Sequence, residues 1–148
     1  DKQKNMLSNF SFWIWGTIIT QLLTAFFHSL SFISPAKPRN DMEKQLVEIT
    51  TKYKLDMGAG IKRSFYSLFI GVSSCFTIIY IFGATLNWYF VKTGISADVW
   101  KGLLLIQLIA YSIVFILQVR FTFLPPIIVT GLVVLFLAGT CFLSVLPV

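Results

Sequence analysis

Charged residues divide the chain into four long runs, roughly residues 12–33, 65–90, 99–119 and 127–146, that are apolar on every helical face. Each is close to the about 20 residues that a helix needs to cross about 30 Å of hydrocarbon. A membrane β-barrel would need shorter segments with a polar residue at every second position, and that alternation is missing. The expected fold is an all-α integral membrane protein, a single domain over 1–148 built as a bundle of four transmembrane helices. The first run is long for the apolar core of a secretory leader and no small-residue cleavage pattern follows it, so it is expected to stay as a helix.

The breaks between runs have chemical reasons. Pro35 and Pro38 remove backbone donors after the first run and disfavour helix before them. Gly94 is the expected stop of the second, Ser96 the expected cap of the third, and Pro125-Pro126 the opening turn of the fourth, where a missing N–H costs nothing. The short link from Arg120 to Pro126 predicts a tight antiparallel pair of the third and fourth helices.

The interval 34–63 is the one loop large enough to carry structure. Asn40 and Glu43 have capping spacing, and Met42, Leu46, Ile49 and Tyr53 follow at steps of four, three and four, which predicts an amphipathic helix over residues 41–55 between the first and second spans. With Lys44, Lys52 and Lys54 around it, that helix is expected to lie on anionic lipid or to dock on a partner protein. Beyond it, Met57-Gly58-Ala59-Gly60-Ile61 is expected to be a flexible joint delivering Lys62, Arg63 and Ser64 to the second span. It lacks the glycine spacing and preceding strand of a phosphate loop, so nucleotide binding is excluded. Positive-inside anchoring is the first reading of these three residues, and contact with a lipid phosphate the second.

Composition agrees with a membrane protein, at 56% hydrophobic and 12% charged residues with a mean hydropathy of +0.79. The net charge of +6 adds a topology signal, because it is unevenly placed. Four crossings put Lys2, Lys4, Lys92 and Lys101 on one side and Lys37, Arg39, Lys44, Lys52, Lys54, Lys62, Arg63 and Arg120 on the other. The richer side, with the long loop, is expected to be cytoplasmic and both termini outside, in a bacterial inner membrane. A charge bias of this kind predicts no nucleic-acid partner. Trp13, Trp15, Trp88 and Trp100 all fall at the outer interface of the same arrangement.

Candidate chemistry is confined to a few polar positions. Thr17, Gln21, Thr24, His28 and Ser31 recur at helical spacing along the first span, and Gln107, Tyr111 and Gln118 along the third. Their first reading is interhelical hydrogen bonding; the second is a ligand-contacting face formed by Gln21, His28, Gln107, Gln118 and Arg120, with His28 sensitive to protons. His28 and Gln118 are expected at similar depth. Arg120 is expected to snorkel, or else to pair with Asp56 and tie the loop down. In the second span Ser64, Ser67, Gly71 and Ser74 form a small-residue stripe that invites close helix packing, and Gly131, Ala138 and Gly139 do so less regularly in the fourth.

What is missing narrows function further. All six acidic residues lie outside the spans, so the membrane carboxylate that proton-coupled transport exchanges against substrate is absent. A single His and two unpaired Cys at different depths supply neither a metal set, a haem ligand pair nor a thiol couple, so no catalytic residue, metal or cofactor is expected. Asn9-Phe10-Ser11 fits a glycosylation pattern but sits at the membrane edge, where chance is the better account. The expected partners are membrane lipids and either another membrane protein or a second copy. The expected role is an accessory or scaffold subunit of a larger membrane assembly, non-catalytic; the alternative is binding or transport of a lipid or small hydrophobic molecule around His28.

Overall fold

A computed structural model describes residues 9–33 and 37–145. Its elements are helix α1 (Phe10–Ile33), helix α2 (Asp41–Lys52), strands β1 (Lys54–Asp56) and β2 (Lys62–Ser64), and helices α3 (Phe65–Thr93), α4 (Ala97–Phe121) and α5 (Leu124–Val145). Four of the five helices, α1, α3, α4 and α5, are long and apolar enough to cross a membrane. The Pro35 break, Lys2 and Lys4 of the charge tally and the end of the fourth run at 146 lie outside the described residues.

Local chemistry sets the ends. Asn9 opens α1, its side-chain oxygen accepting from Ser11 N at 3.0 Å, which gives this asparagine a capping role. Asn40 caps α2 by accepting from Glu43 N at 2.8 Å, while the Glu43 carboxylate reaches back to Arg39 N at 2.6 Å. Ser64 caps α3, accepting from Ser67 N at 3.2 Å. Gly94 ends α3 in the left-handed region at φ 66°, with its N–H on Phe90 O, a conformation that glycine adopts without a Cβ clash. Ser96 occupies the cap position of α4 but makes no side-chain bond there. Pro125 and Pro126 lie in the first turn of α5.

Two expectations for the loop need correction. The helix ends at Lys52 rather than at residue 55, because Tyr53 turns extended and its N–H closes on Ile49 O. Residues 57–64 do not form an open joint: β1 and β2 pair antiparallel, Lys54 with Ser64, Leu55 with Arg63 and Asp56 with Lys62. The turn holds positive φ at Gly58 (85°), Ala59 (53°) and Gly60 (77°), and Asp56 Oδ1 accepts from Gly58 N at 2.9 Å. The two glycines thus serve a tight turn.

The long helices pack about one core of Ile14, Ile18, Ala25, Tyr80, Ala84, Trp100, Leu104, Tyr111, Val133 and Leu137. The closest backbone approaches are α1 with α3, α1 with α5, and α4 with α5, the last being the antiparallel pair expected from the short link. Glycines make the α1–α5 approach reciprocal. Trp13 of α1 lies over Gly139 of α5, and Phe136 of α5 lies over Gly16 of α1, in positions where any Cβ would collide with the ring. The two rings meet at 5.6 Å. Gly131 receives Phe115 of α4 in the same manner, with less overlap. At the end formed by the start of α1, the end of α3 and the start of α4, Trp100 stacks edge-on against Phe10 at 5.8 Å and Phe90 at 5.9 Å.

The stripe expected to pack in α3 is not the one used within this chain. Ser67 and Gly71 are exposed and Ser74 half-buried, and a Cβ added at Gly71 would meet nothing within 4 Å. The face that turns inward carries Ser73, Tyr80, Gly83, Ala84 and Asn87.

Candidate functional site

The buried polar residues form a layer inside the apolar core, and it is built from one amide on each of three helices. Gln21 of α1, Asn87 of α3 and Gln107 of α4 are 0%, 0% and 9% exposed. Asn87 Nδ2 donates to Gln21 Oε1 at 3.1 Å and to Gln107 Oε1 at 3.0 Å. Gln107 Nε2 returns a bond to Asn87 Oδ1 at 2.8 Å, and Gln21 Nε2 reaches Gln107 Oε1 at 3.4 Å. An amide left alone in hydrocarbon costs several kcal/mol. Here the three satisfy one another, at about 0.6 to 2 kcal/mol per bond in a bilayer.

Gly83 makes room for this cluster. One turn before Asn87, it faces both the Tyr111 hydroxyl and the Gln21 amide, so that a Cβ there would collide with the hydroxyl. Tyr111 also donates to Ile79 O at 3.1 Å, and its ring lies 5.1 Å from that of Tyr80.

A second group of polar side chains lies toward the opposite end from Trp100. Tyr80 and Thr130 share a hydroxyl hydrogen bond of 2.7 Å across from α3 to α5, and Gln118 of α4 lies beside Tyr80. Gln118 Oε1 and Thr77 Oγ1 are buried without a hydrogen-bond partner among the described residues. His28 Nε2 lies 3.2 Å from Ser73 O, and its ring packs against Phe32 and Phe76. Between α1 and α5, toward the Trp end, the Thr17 and Thr140 hydroxyls are 3.4 Å apart.

The residues expected to form a single ligand face are therefore divided. Gln21 and Gln107 meet in the amide cluster; Gln118 belongs to the group around Tyr80; His28 packs on α3. Arg120 is exposed, and the ion pair between the described residues is Lys52 with Glu48, not Arg120 with Asp56. Asp56 instead serves the hairpin turn. The side chain of Ser31 lies outside what is described.

The lipid-phosphate trio does not converge as expected either. Adjacent residues of a strand point to opposite faces, so Lys62 and Arg63 diverge, and the Ser64 hydroxyl is occupied as the cap of α3. Cys75 is exposed and Cys141 partly buried, both as free thiols. Among the described residues no three His, Cys, Asp or Glu side chains gather in a way that could hold a metal ion.

Sequence reasoning missed Asn87, the centre of the cluster. The signal was present: an amide deep in an apolar run, on one face with Tyr80 and Gly83 at steps of three and four, demands a partner in lipid. Thr130 and Thr140 were missed likewise, although Thr130, Val133, Leu137 and Thr140 follow at steps of three, four and three and all are fully buried.

Arranged this way, the cluster can hold helices together and set their register, since each of its amides bonds the others. A surface hollow of about 370 Å³ lined by Phe12, Trp15, Gly16, Ile19 and Phe136 runs along α1 and α5, and no member of the amide cluster lines it. No family model, curated protein or solved structure matches the chain.

Proposed function

We propose that the protein is a non-catalytic accessory or scaffold subunit of a larger membrane assembly, a four-helix transmembrane bundle whose outer helical surface receives a partner. The observation that carries this reading is the division of labour on α3. Its inward face is consumed by the amide cluster and by Gly83, while Ser67, Gly71 and Cys75, four residues apart, form a notch on its outer face that the other described residues leave uncovered. Small residues at that spacing let a second helix approach closely. The charge bias supports a cytoplasmic loop 34–63, with α2, and outer termini, and we assign the protein to a bacterial inner membrane on that reading.

The test is purification of the full chain in native lipid particles, with mass spectrometry of what stays bound. A stoichiometric membrane protein, or a second copy, should accompany the wild type and be lost from Gly71→Leu, while both retain the same melting temperature. A chain that purifies alone, or a substituted chain that keeps its companion, would remove this role.

A second reading is favoured by one observation, the unpartnered oxygen atoms of Gln118 and Thr77 beside Tyr80. On this reading a lipid or small hydrophobic molecule presents a hydrogen-bond donor to these two oxygens, in the neighbourhood of His28, by parting the helices that bury them. Gln118→Leu and His28→Ala would then change the set of small molecules that copurify, and a set unaffected by both would discard that reading.

A further inference from the structure

Segment 37–64 carries two amphipathic elements whose apolar sides are left uncovered by the other described residues. On α2, Met42, Leu46 and Ile49 are between 61% and 81% exposed, and no residue of that helix is buried. The hairpin repeats the pattern in strand form. Pairing of Leu55 with Arg63, extended by the bond from Met57 N to Ile61 O, sets Leu55, Met57, Ile61 and Arg63 on one face and Lys54, Asp56, Lys62 and Ser64 on the other. Leu55, Met57 and Ile61 are between 38% and 53% exposed.

Position and charge together identify what covers these faces. Strand β2 passes without a break into α3, whose first turns expose Phe65 and Phe69, so the hairpin stands at the edge of the hydrocarbon. Helix α2 packs against β2 and α3, which ties it to the hairpin. The segment contains seven Lys and Arg against four Asp and Glu. Three of those four acids are engaged locally: Glu43 accepts from Arg39 N, Asp56 from Gly58 N, and Glu48 holds Lys52. Lys44, Lys54, Lys62 and Arg63 remain exposed. A protein surface that is apolar on one side, cationic around it, and continuous with a membrane-facing helix matches the headgroup boundary of an anionic leaflet.

We propose that α2 and the β1–β2 hairpin form a lipid clamp: their apolar faces seat at the boundary between headgroups and acyl chains, and Lys44, Lys54, Lys62 and Arg63 engage lipid phosphates around them. The divergence of Lys62 and Arg63 suits a surface of many phosphates better than one enclosed anion. The clamp fixes the depth of α3 in the bilayer. It goes beyond the subunit role and does not depend on it, since the residues that seat the clamp are not those of the notch at Ser67, Gly71 and Cys75.

The test uses the full chain with Cys75→Ser and Cys141→Ser, carrying a nitroxide on a single cysteine at Ile49, Ile61 or, as the polar-face control, Thr51. It is placed at one chain per disc in lipid discs of phosphatidylcholine, or of phosphatidylcholine mixed with phosphatidylglycerol. In the anionic discs the labels at Ile49 and Ile61 should be open to oxygen and shielded from a water-soluble nickel chelate, with the Thr51 label open to the chelate. Each of Lys54→Gln, Lys62→Gln and Arg63→Gln should weaken the docked state about fivefold, returning chelate access at Ile61. Chelate access at Ile49 and Ile61 in both kinds of disc would overturn the clamp. So would shielding that is equal in both lipids and indifferent to the three substitutions, which would assign the faces to contact with protein.

Discussion

Asn87 of α3 and Gln107 of α4 exchange two hydrogen bonds, one in each direction, at 3.0 Å and 2.8 Å. Backbone approach between these two helices is looser than in the other neighbouring pairs, so long side chains bridge them: this amide pair, the Tyr80–Tyr111 rings, and Phe90 against Trp100. The polar layer is consequently a structural joint where the backbone packing is weakest.

Asn87→Leu removes three bonds and leaves Gln21 and Gln107 with unmet amides, so it should destabilise the protein by about 2 to 4 kcal/mol. Gln107→Leu should cost a similar amount. The double variant should cost clearly less than the sum, because the second change removes a group the first has already stranded. Reversible unfolding in mixed micelles measures all three, and strict additivity would show that the two side chains do not act as a pair.

Gly83 and Gly71 should respond in opposite ways to the same enlargement. Gly83→Ala drives a methyl group into the Tyr111 hydroxyl and the Gln21 amide, for an expected loss of about 1 to 3 kcal/mol. Gly71→Ala meets open space within the chain and should be neutral or slightly stabilising, since alanine is the better helix former. Melting temperatures in detergent compare them directly; equal losses would contradict the inward placement of Gly83.

The reciprocal seating of Trp13 on Gly139 and of Phe136 on Gly16 predicts a size exchange. Gly139→Leu alone should force α1 and α5 apart and lower stability by about 1 to 3 kcal/mol. Trp13→Ala alone should cost about 1 to 3 kcal/mol through the contacts the half-buried indole loses. Combined, the two should recover part of the loss, because the leucine fills space the indole vacated. A double variant no more stable than the sum of its parts would refute the contact.

Glu48 provides a pH signature for α2. Its carboxyl is held below the ordinary glutamate value of 4.5, first because Lys52 donates a hydrogen bond to it and then through the attraction of that ammonium charge. A depressed value in the folded helix means that the pairing contributes fully above the ordinary glutamate range and is lost as pH falls through the lowered value. A carboxyl-carbon NMR titration should give a midpoint below that of an isolated glutamate, and Lys52→Gln should restore it. Because the pair is exposed, added salt should shrink the difference. A midpoint unmoved by the substitution would show that the two side chains are not paired in solution.

Much of the fold was legible because hydrocarbon is an unforgiving solvent. Runs of about 20 apolar residues have few alternatives to a helix, and Gly94, Asn40 and Pro125-Pro126 act through short-range chemistry that the sequence states outright. The polar positions were legible as a set, since Gln21 and Gln107 in such surroundings must find partners, but their grouping was not. Helical spacing tells which residues share a face; it does not tell which helix that face meets. That is why His28 and Gln118 appeared to belong with Gln21, and why the stripe at Gly71 looked like the packing face of α3. The hairpin escaped because three-residue strands leave too short an alternation to distinguish from a loop.

The sequence by itself determined the number of long helices, most of their limits, the apolar surface they present and the position of the basic loop, because each follows from local hydropathy and backbone preference. Only the tertiary structure decided that Asn87 completes the amide cluster, that Gly83 rather than Gly71 is the close-contact glycine within the chain, and that Lys62 and Arg63 diverge. Those outcomes depend on helix rotation and strand pairing. Both are fixed when side chains from separate segments fill and satisfy one another.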